Sequence, residues 1–311
     1  MSRRILWLAL AHLAVALACG STTPAAPASP VPTFSTAPPT APLVRRLYAA
    51  DNLPSELQSQ ARAWAEQHGL TFSVGPASEI PDGLQYIVSL QDLTWTEDAA
   101  LADQGVRGVI VDPSMPISSR LASSVEADTQ SWLEAGFLAG VATGLIGDVR
   151  AVGWIDGDGD DGALADGFDQ GIRYACPRCL ILQQEATTLD PAEFVSQGVE
   201  AVLVAPGRSA EVAAAAAGEA GLWIVWIGEA PEGATLDRWA VRVVMDPVPL
   251  LTSALDALEA GEDGQNWPYS VRTDSLTVVD VRPEAMSPGK QRLLLAALGK
   301  LADGELQLVA P

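Results

Sequence analysis

The stretch from Asp128 to Tyr174 constrains this chain more than any other. Leu133, Phe137, Val141 and Leu145 recur at helical spacing. Gly136, Gly140 and Gly144 form a second stripe one step around the same helix, smooth enough for close backbone contact. The short apolar run from Val149 to Ile155 reads as a strand buried on both faces. Asp156 to Gly162, D-G-D-G-D-D-G, is an acidic, glycine-rich loop, and Leu164, Phe168 and Ile172 begin another helix. Helix, buried strand, loop and helix is the grammar of a parallel α/β layer, whose ligand face lies where strands end and helices begin. A G-x-x-x-G stripe also suits a membrane-helix dimer. Here the apolar run is only about 15 residues, against the roughly 20 that a bilayer needs, and Glu134 interrupts it. The stretch reads as a core helix.

Composition sets the outer bounds. With 311 residues, 48% of them hydrophobic, the chain can bury a full globular core, expected as two lobes. The formal charge is -21, and lysine occurs only at Lys290 and Lys300. Such a surface repels nucleic acid, phosphates and anionic lipid at long range, so nucleic-acid binding is excluded.

Met1 to Cys19 reads as a signal peptide, with Arg3 and Arg4 as its positive end and Ile5 to Leu17 as an apolar core too short to span a bilayer. Val15-Ala16-Leu17-Ala18-Cys19 resembles a lipobox, so Cys19 is the expected lipidation site. An ordinary secretory signal cleaved nearby is the plainer alternative. The Pro/Ser/Thr/Ala tract at residues 20–42 cannot form a core and suits a tether between anchor and domain. Lipidation leaves Cys176 and Cys179 in C-P-R-C, where an oxidising compartment favours a local disulfide. A thioredoxin-like redox site is the alternative, but it needs a thiolate near a helix N-terminus, and this pair follows a helix end.

Along the chain, Leu43 to Ala49 is the first expected strand. Asp51-Asn52-Leu53-Pro54 is a turn, and a helix runs from Pro54 or Ser55 to His68, stopped by Gly69. Strands are expected at 70–74, 85–90, 106–111 and 121–125, with a helix at 94–104. Further strands follow at 180–184, 199–205, 222–227, 239–245 and 276–281, and helices at 191–198, 210–220, 248–260 and from Leu293 onward.

Three segments then carry a resemblance: E-A-G-F-L-A-G-V-A (Glu134 to Ala142), V-G-W-I-D-G (Val152 to Gly157) and D-G-F-D-Q-G-I (Asp166 to Ile172). In their order they are similar to the basic membrane protein family of substrate-binding lipoproteins of ABC importers, several of which bind nucleosides. The likeness covers roughly the C-terminal two thirds and extends to the alanine-rich segment after Pro206-Gly207-Arg208 and to the L-A-D-G-E-L-Q-L-V-A-P tail. It implies an α/β, type I periplasmic-binding-protein-like fold, two Rossmann-like lobes joined by a hinge. One lobe is expected at 43–127 plus about 231–247 and the other at 128–230 plus about 248–311, with crossings near Ala127, Ala230 and Pro247. It also implies an uncharged small ligand such as a nucleoside, an ABC permease as partner, a lipid anchor on the outer face of the cell membrane, and no cofactor. An anchored sensor or scaffold with the same fold is the alternative.

The chain departs from the family at its first turn, where Asp51 and Asn52 are followed by Leu53 rather than an aromatic residue, and in the strand ending at Met245, where Arg242 stands without the family's lysine. Gln91, Asp92 and Trp95 are expected to compensate, a tryptophan face being able to stack on a base or sugar. Trp154 stands where the family strand carries an aromatic residue, and Glu229 falls nearest the family's ribose-binding aspartate. The expected ligand residues are Asp51, Asn52, Asp92, Trp95, Trp154, Asp156, Asp158, Arg208 and Glu229. The acidic loop also invites a calcium reading through Asp156, Asp158 and Asp160, but the twelfth position is Gly167 and the closing bidentate carboxylate is missing. Its carboxylates complement the following helix dipole and accept bonds from hydroxyls, favouring a nucleoside or sugar over a nucleotide. With one histidine beyond the signal segment, His68, and neither G-x-S-x-G nor H-E-x-x-H, the chain reads as a binder rather than an enzyme.

Overall fold

The described strands form two six-stranded sheets. The computed structural model describes residues 45–76, 80, 81, 83–90, 103–112, 122–146, 150–157, 162–229, 238–262 and 264–309. The first sheet takes β1 (Arg46–Ala50), α1 (Ser55–Gln67), β2 (Thr71–Gly75), β3 (Tyr86–Leu90), β4 (Arg107–Val111) and β5 (Ala122–Glu126) in sequence. The chain then enters lobe 2 through α2 (Thr129–Leu145), β6 (Ala151–Asp156), α3 (Gly162–Ala175), β7 (Leu180–Glu185), α4 (Pro191–Ser196), β8 (Val199–Val204), α5 (Ala210–Glu219), β9 (Trp223–Ile227) and β10 (Trp239–Met245). It returns to lobe 1 for α6 (Val248–Ala260) and β11 (Asn266–Pro268), and finishes in lobe 2 with β12 (Leu276–Val279) and α7 (Pro288–Ala302). The sheet orders are β11-β5-β4-β3-β1-β2 and β12-β10-β9-β8-β6-β7, and among the described residues only β12 pairs antiparallel. The two Rossmann-like lobes expected from the strand grammar are present as two separate sheets.

Local chemistry explains the element limits. Leu57, Ala61, Trp64 and Ala65 give α1 one buried stripe, and Gly69 at φ +67° ends its turn. The Asp128 side chain accepts from Ser131 N while the Ser131 hydroxyl accepts from Asp128 N, a reciprocal cap that starts α2. Gly261 at φ 86° closes α6. The central strands are buried on both faces, as a helix-covered parallel sheet requires.

The expected lobe boundaries need correction near the end of the chain. Trp239–Met245 pairs with β9 and β12, so it belongs to lobe 2 rather than lobe 1. Leu250, Leu251, Ala254, Leu255 and Leu258 of α6 join the lobe 1 core, so that helix belongs to lobe 1 rather than lobe 2. Polar bonds hold α6 there: Trp64 Nε1 donates to Asp256 Oδ1 (2.7 Å), Gln60 Nε2 to Thr252 Oγ1 (2.6 Å), and Arg45 and Tyr86 both donate to Glu259. The chain passes from one sheet to the other between β5 and α2 and again between β10 and α6. The third crossing is not near Ala230, because β9 and β10 are parallel neighbours in one sheet. It lies after β11, a three-residue strand too short for its apolar pattern to announce it.

α2 is buried on nearly every side, between the lobe 2 sheet and α3. A methyl group placed on Gly136 would overlap the Leu164 carbonyl oxygen, and one on Gly140 the Phe168 carbonyl. From the other helix, Gly167 and Gly171 face the Leu133 and Phe137 carbonyls in the same way. The two helices meet backbone to backbone. Cys176 and Cys179, at the end of α3, form a disulfide with S–S 1.97 Å, and Cys179 is buried in the core. Among the described residues no helix is long and apolar enough to cross a membrane.

Gly140→Ala is expected to cost at least about 1–3 kcal/mol through overpacking, lowering Tm by several degrees. Gly299→Ala in α7, where a methyl would meet nothing within 4 Å, serves as control and is expected to raise stability by up to about 1 kcal/mol. Thermal unfolding of both variants reads the difference, and equal effects would contradict the close-contact account.

Candidate functional site

All three crossings leave a sheet at the carboxyl end of a strand: after Glu126 of β5, Met245 of β10 and Pro268 of β11. The carboxyl edges of both sheets therefore border the hinge. Strand order reverses beside β1 and β3 in the first sheet and beside β6 and β8 in the second. In open α/β sheets, ligands bind outside the carboxyl ends at such switch points.

On lobe 1 this edge carries Asp51 and Asn52 after β1, Asp112 after β4 and Glu126 at the end of β5. Asp51 and Asn52 are exposed, and Asn52 Nδ2 donates to Leu90 O at 3.4 Å, tying the first turn to the end of β3. On lobe 2 the edge carries Asp156 at the end of β6, Arg208 after β8, Glu229 after β9 and Asp246 after β10. Gly157 and Gly207 bring the β6 and β8 loops into backbone contact, because a methyl group on either would overlap the other loop's carbonyls. That contact sets Asp156, half-buried, and Arg208, exposed, on adjoining turns. Glu229 is held through its backbone by Trp226 Nε1, which donates to its carbonyl at 2.8 Å. Its side chain is 86% exposed and lies 3.7 Å from Arg242, which also donates to Asp280 at 2.6 Å.

Trp154, expected at the cleft, lies elsewhere. It is 6% exposed, and its ring packs against Phe168 with centroids 5.1 Å apart. Alternation along β6 is the reason: Val152 and Trp154 face α2 and α3, Ala151 and Ile155 face the α5 side, and Asp156 alone reaches the edge. Asp92, Trp95, Asp158 and Cys19 lie outside the described residues, as does the helix expected at 94–104 apart from its last two residues.

Sequence reasoning overlooked Asp112, Glu126 and Asp246. Each ends or directly follows an expected strand, whereas Glu229 was singled out by the family resemblance. Asp112 holds φ +48°, and its Oδ1 accepts the Tyr269 hydroxyl at 2.8 Å. Asp112 is exposed, although protein crowds its carboxylate and partly desolvates it. That desolvation raises its carboxyl above the ordinary range; the Tyr269 bond opposes the rise and Glu126 adds to it. Burial raises the Tyr269 hydroxyl further still, helped by Asp112 and Asp246, so it stays a neutral donor. A separate cavity of about 290 Å³ is lined by Gln130, Glu134, Arg272, Leu301, Leu306, Gln307 and Leu308, and contains none of the expected ligand residues.

No protein-family model matches the chain, and no curated protein matches it. Solved structures do. An ABC transporter solute-binding protein from Conexibacter woesei superposes with a TM-score of 0.55 at 16% identity, covering 86% of this chain and 98% of that one. One from Aeropyrum pernix K1 gives 0.55 at 14% identity over 86% and 94%. A transcriptional activator of the comK gene from Bacillus halodurans gives 0.57 at 11% identity over 85% and 99%. The chain therefore has the two-lobed periplasmic-binding-protein-like fold of solute-binding proteins.

The raised Asp112 value carries a pH signature. The folded state binds that proton more tightly than the unfolded chain, so the contribution to stability is present below the ordinary carboxylate range and lost as pH rises through the raised folded value. Asparagine keeps an acceptor for Tyr269, tolerates positive φ and carries no charge. Asp112→Asn is therefore expected to melt above wild type at neutral pH, with the gap narrowing on acidification. Scanning fluorimetry across pH measures it, and a gap independent of pH would contradict the desolvated position.

Proposed function

We propose that this chain is an extracytoplasmic substrate-binding protein that closes its two lobes over an uncharged, hydroxyl-rich small molecule such as a nucleoside. The observation that carries the reading is the convergence of two carboxylate-bearing strand edges on one three-stranded hinge. Carboxylates accept hydrogen bonds from hydroxyls and repel phosphate, so a nucleoside or sugar suits this rim and a nucleotide does not. The motifs in α2, β6 and α3 are similar to those of the basic membrane protein family, and that likeness supports transport through an ABC permease. Asp156 and Glu229 are the proposed acceptors for ribose-like hydroxyls, with Asp51, Asn52, Asp112 and Arg208 around them. Asp92, Trp95 and Asp158 stay in the proposed site on sequence grounds alone. The reading assigns binding rather than turnover. The lipobox and tether support an anchor at Cys19, which Cys19→Ser should release from labelled-palmitate incorporation.

A second reading is an anchored sensor. Its support is the structural neighbour described as a transcriptional activator, which has the same fold. Genes for a permease and an ATPase beside this one would favour import, and a regulator there would favour sensing.

A thermal-shift panel of nucleosides, pentoses and hexoses tests the ligand class, followed by calorimetric titration. A bond to a charged acceptor contributes about 1.5–3 kcal/mol, so Asp156→Ala should weaken binding roughly tenfold or more. No shift with any member of the panel would overturn the reading, and unchanged affinity in Asp156→Ala would overturn the site.

A further inference from the structure

Tyr269 is where the crossings are laced together. Its ring is 2% exposed in the lobe 1 core, and its hydroxyl is pinned to Asp112 of the same lobe. One residue later the chain is pinned to lobe 2. Ser270 Oγ and Val271 N both donate to Glu134 Oε2 at 3.0 Å, and Glu134 is a 5% exposed residue of α2. Fully buried Ser275 closes this loop: its hydroxyl accepts Ser270 N at 2.9 Å, and its carbonyl accepts Asp246 N, from the second crossing, at 2.7 Å. A further bond joins the two sides: Ser131 Oγ, in the cap that starts α2 at the first crossing, reaches the Tyr269 carbonyl at 2.8 Å, its single proton shared between that carbonyl and Asp128 Oδ1 at 2.9 Å.

We propose that the link between Tyr269 and Ser270 is the pivot of the third crossing, and that the bond from Ser131 to the Tyr269 carbonyl is the latch that holds the present interlobe angle. With one neighbour fixed to lobe 1 and the other to lobe 2, rotation of the lobes is taken up by the backbone dihedrals between them. Turning those dihedrals swings the Tyr269 carbonyl away from α2, so the Ser131 bond is lost as the angle changes. Hinges of this kind concentrate large dihedral changes in a few residues at element ends. The ligand reading is not needed for this device, and its test uses no ligand.

The test is the interlobe distance distribution of the full chain, measured by pulsed electron–electron resonance. Spin labels are attached through keto amino acids at Glu66 of α1 and Glu219 of α5, both exposed and one in each lobe. Wild type should show one dominant distance. Ser131→Ala should raise the population of a second distance about two- to tenfold, the loss of the one hydroxyl bond that joins α2 to Tyr269, and Ser131→Thr, which keeps the hydroxyl, should restore the first. The Asp128 carboxylate still accepts the residue 131 backbone N–H at 2.7 Å, so that half of the α2 cap survives the substitution, while the bond from Asp128 N to the hydroxyl is lost. Tyr269→Phe, which frees the lobe 1 side, should also broaden the distribution, and decides the matter by itself if Ser131→Ala does not fold. Folded variants that melt lower but keep the wild-type distribution would overturn the proposal, because the bonds would then be structural only.

Discussion

The backbone contact between α2 and α3 is the constraint on which the rest of the molecule depends. Four glycines, Gly136 and Gly140 on one helix and Gly167 and Gly171 on the other, let each helix rest on the other's carbonyls. The contact fixes α2, whose first turns supply Asp128, Ser131 and Glu134, the lobe 2 side of the hinge bonds. It also fixes α3, which follows the acidic loop at the edge of β6. A helix pair set by side-chain packing tolerates small shifts; one set by glycine and carbonyl contacts does not. Hinge and rim therefore inherit their positions from one helix interface.

Much of the fold was legible because its signals are local. Val248–Ala260 has the predicted bounds, and Gly69 stops α1 as expected. Lobe membership was not legible. Nothing in the spacing of Leu250, Leu251 and Leu255 says which sheet those residues cover, since an amphipathic face records that it is buried and not against what. The true third crossing hides in a strand of three residues, below the length at which alternation can be read.

The site was legible to the extent that it follows strand ends. Asp51, Asp156 and Glu229 stand on the carboxyl edges because each follows an apolar run that had to be a strand. Trp154 shows the limit: two positions before the edge residue Asp156, its ring goes into the core against Phe168. Glu134 shows another. In the sequence it is a charge interrupting an apolar helix, and only the fold reveals that Ser270 and Val271 come back to it across 136 and 137 residues of chain.

The central claim is that two acidic rims close over an uncharged polyhydroxylated ligand. Small-angle scattering of the chain with saturating purine nucleoside, and separately with the matching 5′-monophosphate, tests it most directly. The account predicts a smaller radius of gyration with the nucleoside and none of that compaction with the monophosphate, whose charge the rims repel. Equal compaction by both, or none with any nucleoside, pentose or hexose, would contradict it.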